Sequence, residues 1–145
     1  MRLALGQARQ ALERDEVPVG AVVVHRNQVL SQAHNLRESL RDPLAHAEML
    51  ALRRASRRRG DWRLDGATLY VTLEPCPMCA GALLAARLDR VVYAAPNLEQ
   101  GAAGTVMNVA DHPGFTRQVR VDSGVLAGEC SQLLEEFFQR KRTRT

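Results

Sequence analysis

Apolar residues recur with two different periods along the chain, one typical of helices and one typical of strands. Leu5, Ala8, Ala11 and Leu12 follow helical spacing and predict an amphipathic helix over residues 2–15. Apolar runs predict strands at residues 19–24, 29–33, 67–73, 90–94 and 118–121. Further helices are predicted over residues 45 to about 58, 75–87 and about 129–140. Helices and strands therefore alternate after an initial pair of strands.

Turn and breaker residues separate these elements. Pro18 ends the first helix, and residues 26–28 are short enough for a hairpin turn between the first two strands. Residues 34–44 are predicted as a loop, and Pro75 is predicted as the first residue of the third helix, a position that proline prefers. This order predicts an α/β fold, a three-layer α/β/α domain around a mixed five-stranded sheet that begins with an antiparallel hairpin.

Length and composition narrow the class of protein. A chain of 145 residues with 46% hydrophobic and 25% charged residues is typical of one globular domain, here residues 1–145, and excludes disordered and fibrous proteins. No apolar stretch approaches the length of a membrane span, and the first sixteen residues hold six charges and no apolar block of a signal peptide. We therefore expect a cytoplasmic protein that does not associate with membranes.

The positive charge is concentrated at one end of the sequence. The net charge is +4, and the last six residues hold four cations. We expect residues 139–145 to form a basic C-terminal tail, which is as consistent with a polyanion partner as with a solvated end. The run from Arg53 to Arg59 is interpreted as a solvated helix end, where cations favour the helix dipole, and RNA contact there is the less favoured alternative.

One histidine and two cysteines carry the clearest chemistry. His46 opens one predicted helix, while Cys76 and Cys79 open another and share a face at spacing i, i+3. A helix N-terminus stabilises thiolates, and two thiolates with a neutral imidazole suit tetrahedral Zn²⁺. Three protein ligands leave a fourth position for a water molecule, whose pKa zinc would lower. The remaining cysteine and histidines have no matching ligand spacing; Cys130 is expected in the core, with His25 and His34 on the surface of the hairpin and loop.

Glu48 indicates catalysis rather than metal binding alone. It lies two residues after His46, so that its carboxylate can stand beside the metal without being a ligand. Such a carboxylate can take a proton from water, return it to a ring nitrogen and then protonate a leaving amine. His-x-Glu followed by Pro-Cys-x-x-Cys is the signature of zinc nucleobase deaminases. A redox Cys-x-x-Cys pair would not bring a distant His-x-Glu.

Several longer segments resemble bacterial tRNA-specific adenosine deaminases. These segments are residues 16–22, Asn35, residues 42–48, 69–82 and 101–105, and the end of the chain from Cys130 to Arg142. The zinc motif alone is shared with cytidine, cytosine and guanine deaminases and with a riboflavin-pathway deaminase. The Gly-Ala-Ala-Gly loop and the paired phenylalanines before a basic end are more specific, and the resemblance spans nearly the whole chain.

The resemblance implies a cytidine-deaminase-like fold and a homodimer with one Zn²⁺ per subunit. It implies conversion of adenosine to inosine at the wobble position, 34, in the anticodon stem-loop of a tRNA, usually an arginine tRNA. By this resemblance His46, Cys76 and Cys79 hold zinc, Glu48 carries protons and Asn35 hydrogen-bonds the flipped base. The other residues implied at the pocket, its rim or the neighbouring nucleotides are Glu16, Val17, Pro18, Ala47, Leu73, Glu74, Asn97, Phe137 and Arg142.

The chain departs from many relatives in the loop before Gly-Ala-Ala-Gly, where they have an aspartate and a lysine. Here Asn97 removes a negative charge and Glu99 stands in place of a cation. Our hypothesis is that discrimination against DNA through the 2′-hydroxyl is altered.

Two alternative functions stay open at this level. The first is a deaminase of free guanine, cytosine or a nucleoside, against which the basic tail argues. The second is an inactive RNA-binding subunit with structural zinc, against which Glu48 argues.

Overall fold

Five strands form one mixed sheet in the computed structural model, which describes residues 1–145. The strands are β1 Gly20–His25, β2 Gln28–His34, β3 Thr68–Leu73, β4 Arg90–Ala95 and β5 Arg120–Ser123. Their order in the sheet is β2-β1-β3-β4-β5. Strand β1 is antiparallel to both β2 and β3, whereas β3, β4 and β5 are parallel. The predicted mixed sheet with an initial hairpin is confirmed.

Four helices cover the two faces of this sheet, and a fifth, the second in chain order, is a single turn with no buried residue. The five are α1 Arg2–Glu13, α2 Arg37–Leu40, α3 Ala47–Arg59, α4 Pro77–Ala85 and α5 Ala127–Arg144. Buried residues of α3 and α4 pack into the larger hydrophobic core, and those of α1 and α5 pack into a smaller core on the opposite face. This arrangement confirms the three layers. None of the helices has the length and apolar character that a membrane span requires.

Close packing of α1 on the sheet requires a glycine at the start of β1. A Cβ atom at Gly20 would lie 1.9 Å from the carbonyl oxygen of Ala4. The side-chain hydroxyl of Thr72 accepts a hydrogen bond from the Gly20 amide at 3.1 Å. Helix α1 therefore packs directly on β1 at Gly20, the first residue of that strand.

The structure corrects the prediction for two segments beside the ligand motifs. The predicted loop over residues 34–44 contains the single turn of α2. Helix α4 begins at Pro77 rather than Pro75, because Cys76 is its extended N-cap residue and the carbonyl of Pro75 accepts a hydrogen bond from the Ala102 amide. The preference of proline for the first helical position is thus met by the second proline of the motif.

The predicted C-terminal tail is helical. Helix α5 continues to Arg144, where the sequence indicated an end near residue 140. The side chains of Lys141 and Arg144 donate to the Asp15 carboxylate at 2.9 and 3.0 Å. Because both contacts join the end of α5 to the end of α1, residues 139–144 are ordered as part of the α1–α5 layer.

Candidate active site

The three predicted metal ligands meet where α3 and α4 begin. His46 is the N-cap residue of α3, Cys76 is the N-cap residue of α4, and Cys79 lies in the first turn of α4. The Nδ1 atom of His46 is 3.7 Å from Sγ of Cys76 and 3.6 Å from Sγ of Cys79. All three donor atoms lie within 4.8 Å of one another. Metal–sulfur and metal–nitrogen bonds of about 2.3 and 2.05 Å at a tetrahedral angle separate the donors by about 3.6 Å, so the three residues fit one tetrahedral metal ion.

Interactions among His46, Cys76 and Cys79 shift the pKa values of the two thiols in opposite directions. A hydrogen bond from the Cys79 thiol, together with His46, lowers the pKa of Cys76 to about 4. The hydrogen bond to Cys76 and burial raise the pKa of Cys79. The pKa of His46 is raised by its hydrogen bond with Cys76. Cys76 therefore presents a thiolate, the form of cysteine that binds metals.

Glu48 stands directly beside the ligands. Its side chain is buried in the first turn of α3, and its Oε2 atom accepts a hydrogen bond from Sγ of Cys79 at 3.3 Å. Burial raises the pKa of Glu48. A buried carboxyl group with a raised pKa next to a metal site is typical of a proton carrier in catalysis.

A cavity of about 110 Å³ opens in front of this group. Its wall contains nine of the predicted residues: Val17, Asn35, His46, Ala47, Glu48, Leu73, Glu74, Cys76 and Asn97. Cys79 is fully buried behind the wall. The cavity has the mixture of apolar walls and few polar groups that is typical of sites for small ligands or single bases.

Three further residues line the cavity that the sequence did not single out. They are Val19, Arg37 and Gln100. Arg37 is the first residue of α2 and lies between Asn35 and His46 in the sequence, while Gln100 follows Asn97 by three positions. The sequence signal that could have identified Arg37 and Gln100 is their closeness along the chain to residues already predicted to line the cavity.

Asn35 has an unsatisfied polar atom at the cavity wall. Its backbone amide donates to the carbonyl of Val19 at 3.1 Å, which fixes the residue at the end of β2. Its side-chain Oδ1 atom is buried and has no hydrogen-bond partner. Because buried polar atoms are nearly always paired, this atom is ready to bind a polar group of a ligand.

Glu16 and Pro18 do not line the cavity, contrary to the expectation from the resemblance. The buried carboxylate of Glu16 accepts hydrogen bonds from the backbone amides of Ser39 and Glu38 at 2.6 and 3.1 Å. These amides belong to α2, which has no cap from its own residues. Glu16 therefore holds the segment between Asn35 and His46 in place. Pro18 is buried in the segment between α1 and β1.

Glu74 holds a second rim of the cavity. Its buried carboxylate accepts hydrogen bonds from the backbone amides of Asn97, Ala103 and Thr105 at 3.2, 3.0 and 3.1 Å, and also from the Thr105 hydroxyl. A Cβ atom at Gly101 would lie 2.5 Å from Oε2 of Glu74. The loop over residues 97–105 is therefore wrapped closely around one carboxylate, and a glycine is needed where it passes.

Asn97 serves the same loop. Its Oδ1 atom accepts hydrogen bonds from the backbone amides of Glu99 and Gln100 at 3.2 and 3.0 Å. The oxygen is thus occupied by a tight turn, and the Nδ2 group is the part of the side chain left for a ligand.

The structure separates the two consecutive phenylalanines. Phe137 is 5% exposed and packs edge to face on Phe138, so its ring has no free face for a nucleotide, and the contact expected of it is corrected. Phe138 is 47% exposed and lines a second depression of about 310 Å³ that shares Val17, Leu73 and Asn97 with the cavity. Cys130, Leu133 and Phe137 follow the i, i+3, i+7 spacing of one buried helix face, so helical periodicity places Phe137 inside and Phe138 at the edge. Arg142 is exposed on the last turn.

The remaining histidines and cysteine lie away from the metal site. Cys130 is buried in the α1–α5 core, as expected. His34 is buried rather than on the surface; its Nδ1 atom is 2.8 Å from Oε1 of Gln7, and its Nε2 atom has no partner. The three ligands named from the sequence are the only cluster of this kind in the chain.

Known proteins resemble this chain over nearly its whole length. The family model of MafB19-like deaminases matches residues 1–142. A tRNA-specific adenosine deaminase of Bacillus subtilis is 48% identical, with 98% of this chain and 88% of that protein covered. A tRNA-specific adenosine deaminase of Aquifex aeolicus is 44% identical, with 98% and 93% covered.

Solved structures support the same relationship. A structure from a study of A-to-I editing by tRNA:A34 deaminases at the wobble position has a TM-score of 0.89 and 42% identity, covering 92% of this chain and 97% of that one. A guanine deaminase from Nitrosomonas europaea is less similar, with a TM-score of 0.79, 26% identity, and 92% and 80% covered. The chain belongs to the MafB19-like deaminase family and, within it, to the tRNA-specific adenosine deaminases.

Proposed function

We propose that this protein hydrolyses the 6-amino group of adenosine at wobble position 34 of a tRNA anticodon, producing inosine. The observation that carries the proposal is that one cavity is lined both by buried Glu48, which stands beside the candidate metal ligands, and by Asn35, whose side-chain oxygen is unpaired. The tRNA substrate is supported by relatives at 44% and 48% identity that are tRNA-specific adenosine deaminases.

The cofactor we propose is Zn²⁺, one per subunit. His46, Cys76 and Cys79 would hold it, because two sulfurs and one imidazole nitrogen at these separations are the donor set that zinc prefers. When bound, zinc supplies an activated water molecule as the nucleophile.

Glu48 moves the protons of the reaction. Its carboxylate accepts a proton from the attacking water and delivers it to N1 of the purine. It then takes the proton of the new C6 hydroxyl and gives it to the departing amine, so that the C6–N bond breaks as the C6 carbonyl forms. One water is consumed and one ammonia is released for each inosine formed. Burial, which raises the pKa of Glu48, helps the carboxyl group to hold a proton between these transfers.

The cavity wall orients the base. A base paired or stacked in an RNA cannot reach Glu48, so the target nucleotide must be extruded into the cavity. The side-chain amide of Asn35 hydrogen-bonds its edge, while Val17 and Leu73 provide apolar walls. Phe138 lies beside the mouth of the cavity and offers a ring on which a neighbouring anticodon base can stack.

Finer details rest on the resemblance to this family. The substrate is expected to be an arginine tRNA recognised through its anticodon stem-loop, and the enzyme is expected to be a homodimer. A tRNA substrate is also consistent with action in the cytoplasm.

The test is inosine formation on a tRNA transcript with adenosine at position 34. We expect the zinc-loaded protein to release one ammonia per inosine, and Glu48→Gln to lower the rate by roughly 10²- to 10⁴-fold with zinc retained, as measured by native mass spectrometry. Glu135→Gln, which changes an exposed glutamate of α5, is the matched control and should leave the rate unchanged.

Three outcomes would contradict the proposal. Ammonia release from free guanine or cytosine, with none from the tRNA, would favour a free-base deaminase. A wild-type protein inert towards every substrate would favour the RNA-binding subunit. Deamination by Glu48→Gln at the wild-type rate would remove Glu48 from the mechanism.

A further inference from the structure

Five exposed arginines form a patch on the last two turns of α3. We call them the α3 patch: Arg53, Arg54, Arg57, Arg58 and Arg59. None of them forms a salt bridge with a carboxylate. Arg54 and Arg59 donate only to the backbone carbonyls of Gln32 and Asp65, at 2.7 and 2.9 Å.

The acidic residues that follow the patch are already occupied. Asp61 pairs with Arg63 at 3.3 Å. Asp65 pairs with Arg87 at 3.3 Å and with Arg117 at 3.0 Å. Apart from an attraction between Arg59 and Asp61 that falls short of a salt bridge, the positive charge of the α3 patch has no acidic partner.

Helix stability does not explain this concentration of charge. Arg53 and Arg57 are separated by four residues, as are Arg54 and Arg58, and like charges at this spacing repel one another. The helix dipole favours cations in the last turn, which accounts for residues 57–59 but not for Arg53 and Arg54. The hydrogen bonds of Arg54 and Arg59 to backbone carbonyls give those two residues a structural role, but Arg53, Arg57 and Arg58 have no polar partner.

The basic end of α5 carries less free charge than the α3 patch. Arg140 pairs with Glu136, while Lys141 and Arg144 share Asp15. Arg142 alone among these four cations has no acidic partner. The α3 patch is therefore the stronger candidate for binding a polyanion, although the sequence drew attention to the C-terminal end.

The position of the patch relates it to the cavity. Helix α3 begins beside the metal ligands and carries Glu48 in its first turn. With a rise of 1.5 Å per residue, Arg57 lies about 14 Å from Glu48 along the helix axis. The patch is at the end of α3 opposite the cavity, where Arg59 contacts the segment before β3, so only nucleotides several positions away from a base in the cavity could reach it.

We propose that the α3 patch binds the phosphate backbone of the substrate RNA outside the nucleotides that enter the cavity. The inference rests on the proposed function, since it takes the RNA that carries the target adenosine as the occupant. Guanidinium groups pair with phosphate oxygens through two parallel hydrogen bonds, and each such contact releases counterions from the RNA. The patch contributes affinity and position, while the cavity selects the base.

The test compares two variants that lose the same charge. Arg57→Gln/Arg58→Gln removes two cations that have no polar partner. Arg2→Gln/Arg120→Gln removes two exposed cations that face Glu129 at 3.2 Å and Asp122 at 3.6 Å. Binding of a tRNA transcript with adenosine at position 34 is measured over a range of salt concentrations, and the oligomeric state is measured by sedimentation.

We expect the α3 variant to bind the transcript on the order of tenfold more weakly at 0.1 M salt, with a salt-dependence slope lower by about 1.5. The control variant should retain the wild-type affinity and slope. Wild-type affinity and slope in the α3 variant, or an equal loss in the control, would overturn the inference. An altered oligomeric state with unchanged RNA affinity would also overturn it, and would assign the patch to a contact between copies.

Failure of the inference is distinguishable from failure of the proposed function. Inosine formation by the wild-type protein is measured on the same transcript. A wild-type protein that forms no inosine contradicts the proposed function, whereas inosine formation together with unaltered binding by the α3 variant contradicts only the role of the patch.

Discussion

At the scale of single residues, Asn97 combines two tasks in one side chain. Its oxygen holds the turn that contains Glu99 and Gln100, and its Nδ2 group stands at the cavity wall. An aspartate at this position could accept the same two hydrogen bonds, because both of its oxygens are acceptors. The difference between the two residues is therefore one charge and one donor at the cavity wall.

Asn97→Asp should increase the preference for RNA over DNA. The carboxylate repels the phosphates of both substrates, but it can accept a hydrogen bond from the 2′-hydroxyl of RNA alone. We expect the ratio of kcat/KM for matched RNA and DNA anticodon stem-loops to rise about tenfold, the effect of one charged hydrogen bond. Asn27→Asp, in the β1–β2 turn, is the control; an equal ratio in Asn97→Asp and the wild type would disprove the hypothesis.

His34 gives the native state a dependence on pH. Burial lowers its pKa in the folded protein, so the unfolded chain takes up the proton first as the pH falls. His34 therefore does not reduce the free energy of unfolding above about pH 6.5. Below that pH the free energy of unfolding declines, until the folded protein is protonated as well. The unfolding temperature of the zinc-loaded protein should fall between pH 6.5 and 5 less steeply in His34→Gln than in the wild type. The exposed His112→Gln should retain the wild-type slope, and equal slopes in all three proteins would contradict the assignment.

At the scale of elements, the two loops at the cavity are each fixed by one buried glutamate. Glu16 binds the amides of α2, and Glu74 binds the amides of the loop over residues 97–105. Helix α2 has no buried residue, whereas the loop over residues 97–105 contributes only Ala102 and Ala103 to the larger core. Each side chain is a positioning residue, since it acts through the loop that it holds.

Glu74→Gln should loosen the loop over residues 97–105 without removing the metal. The substitution replaces one acceptor by an NH₂ group that faces backbone N–H donors, which costs about 1–3 kcal/mol. We expect KM for the tRNA to rise more than kcat falls, and amide hydrogen exchange to accelerate at Ala103 and Thr105 with zinc content unchanged. Glu13→Gln on α1 is the control, and undisturbed exchange in Glu74→Gln would show that the loop holds itself.

The elements also show how far the sequence could predict this molecule. Four strands and four of the five helices follow from periodicity, because each buries an apolar face. Strand β5, which has no buried residue, was predicted two residues too early. The single turn of α2 leaves no such pattern: its cap comes from Glu16, more than twenty residues earlier. The last turn of α5 depends on ion pairs with Asp15 at the far end of the chain. Contacts between residues distant in sequence, rather than local helix propensity, therefore determine the formation of α2 and the C-terminal end of α5.

The candidate site divides in the same way. The ligands and Glu48 could be predicted because zinc chemistry fixes their residue types and their spacing. The roles of Glu16 and Glu74 could not, since a glutamate in a motif can either face a ligand or hold a loop. The choice between Phe137 and Phe138 was available from the i, i+3, i+7 spacing of Cys130, Leu133 and Phe137, which marks the buried face of α5.

At the scale of the whole molecule, a bound metal would join two helices that are distant in sequence. His46 begins α3, and both cysteines belong to the start of α4, so a metal ion links two elements on one face of the sheet. Ligand binding to the folded state alone stabilises it by mass action. The larger core should therefore be most sensitive to loss of zinc.

Removal of zinc by a chelator should lower the unfolding temperature of the wild type by several degrees, since about 1 kcal/mol corresponds to roughly 2–4 °C for a domain of this size. Cys76→Ser should bind little zinc and should unfold near the temperature of the chelated wild type, with no further response to chelator. Cys130→Ser, in the smaller core, provides the comparison: it should lower stability but respond to chelator as fully as the wild type does. An unchanged unfolding temperature after complete removal of zinc would mean that the site is formed without the metal.

The division of the interior into two cores has a thermodynamic consequence for combined substitutions. The helices that carry the candidate metal ligands pack into one core and α5 packs into the other, with the sheet between them. Free-energy changes caused by substitutions on the two faces should therefore be additive. Leu73 is the exception, because it packs against both cores and lies at the end of β3 between the cavity and the depression beside Phe138. Non-additive pairs that involve Leu73 would identify it as the residue through which the two faces are energetically coupled.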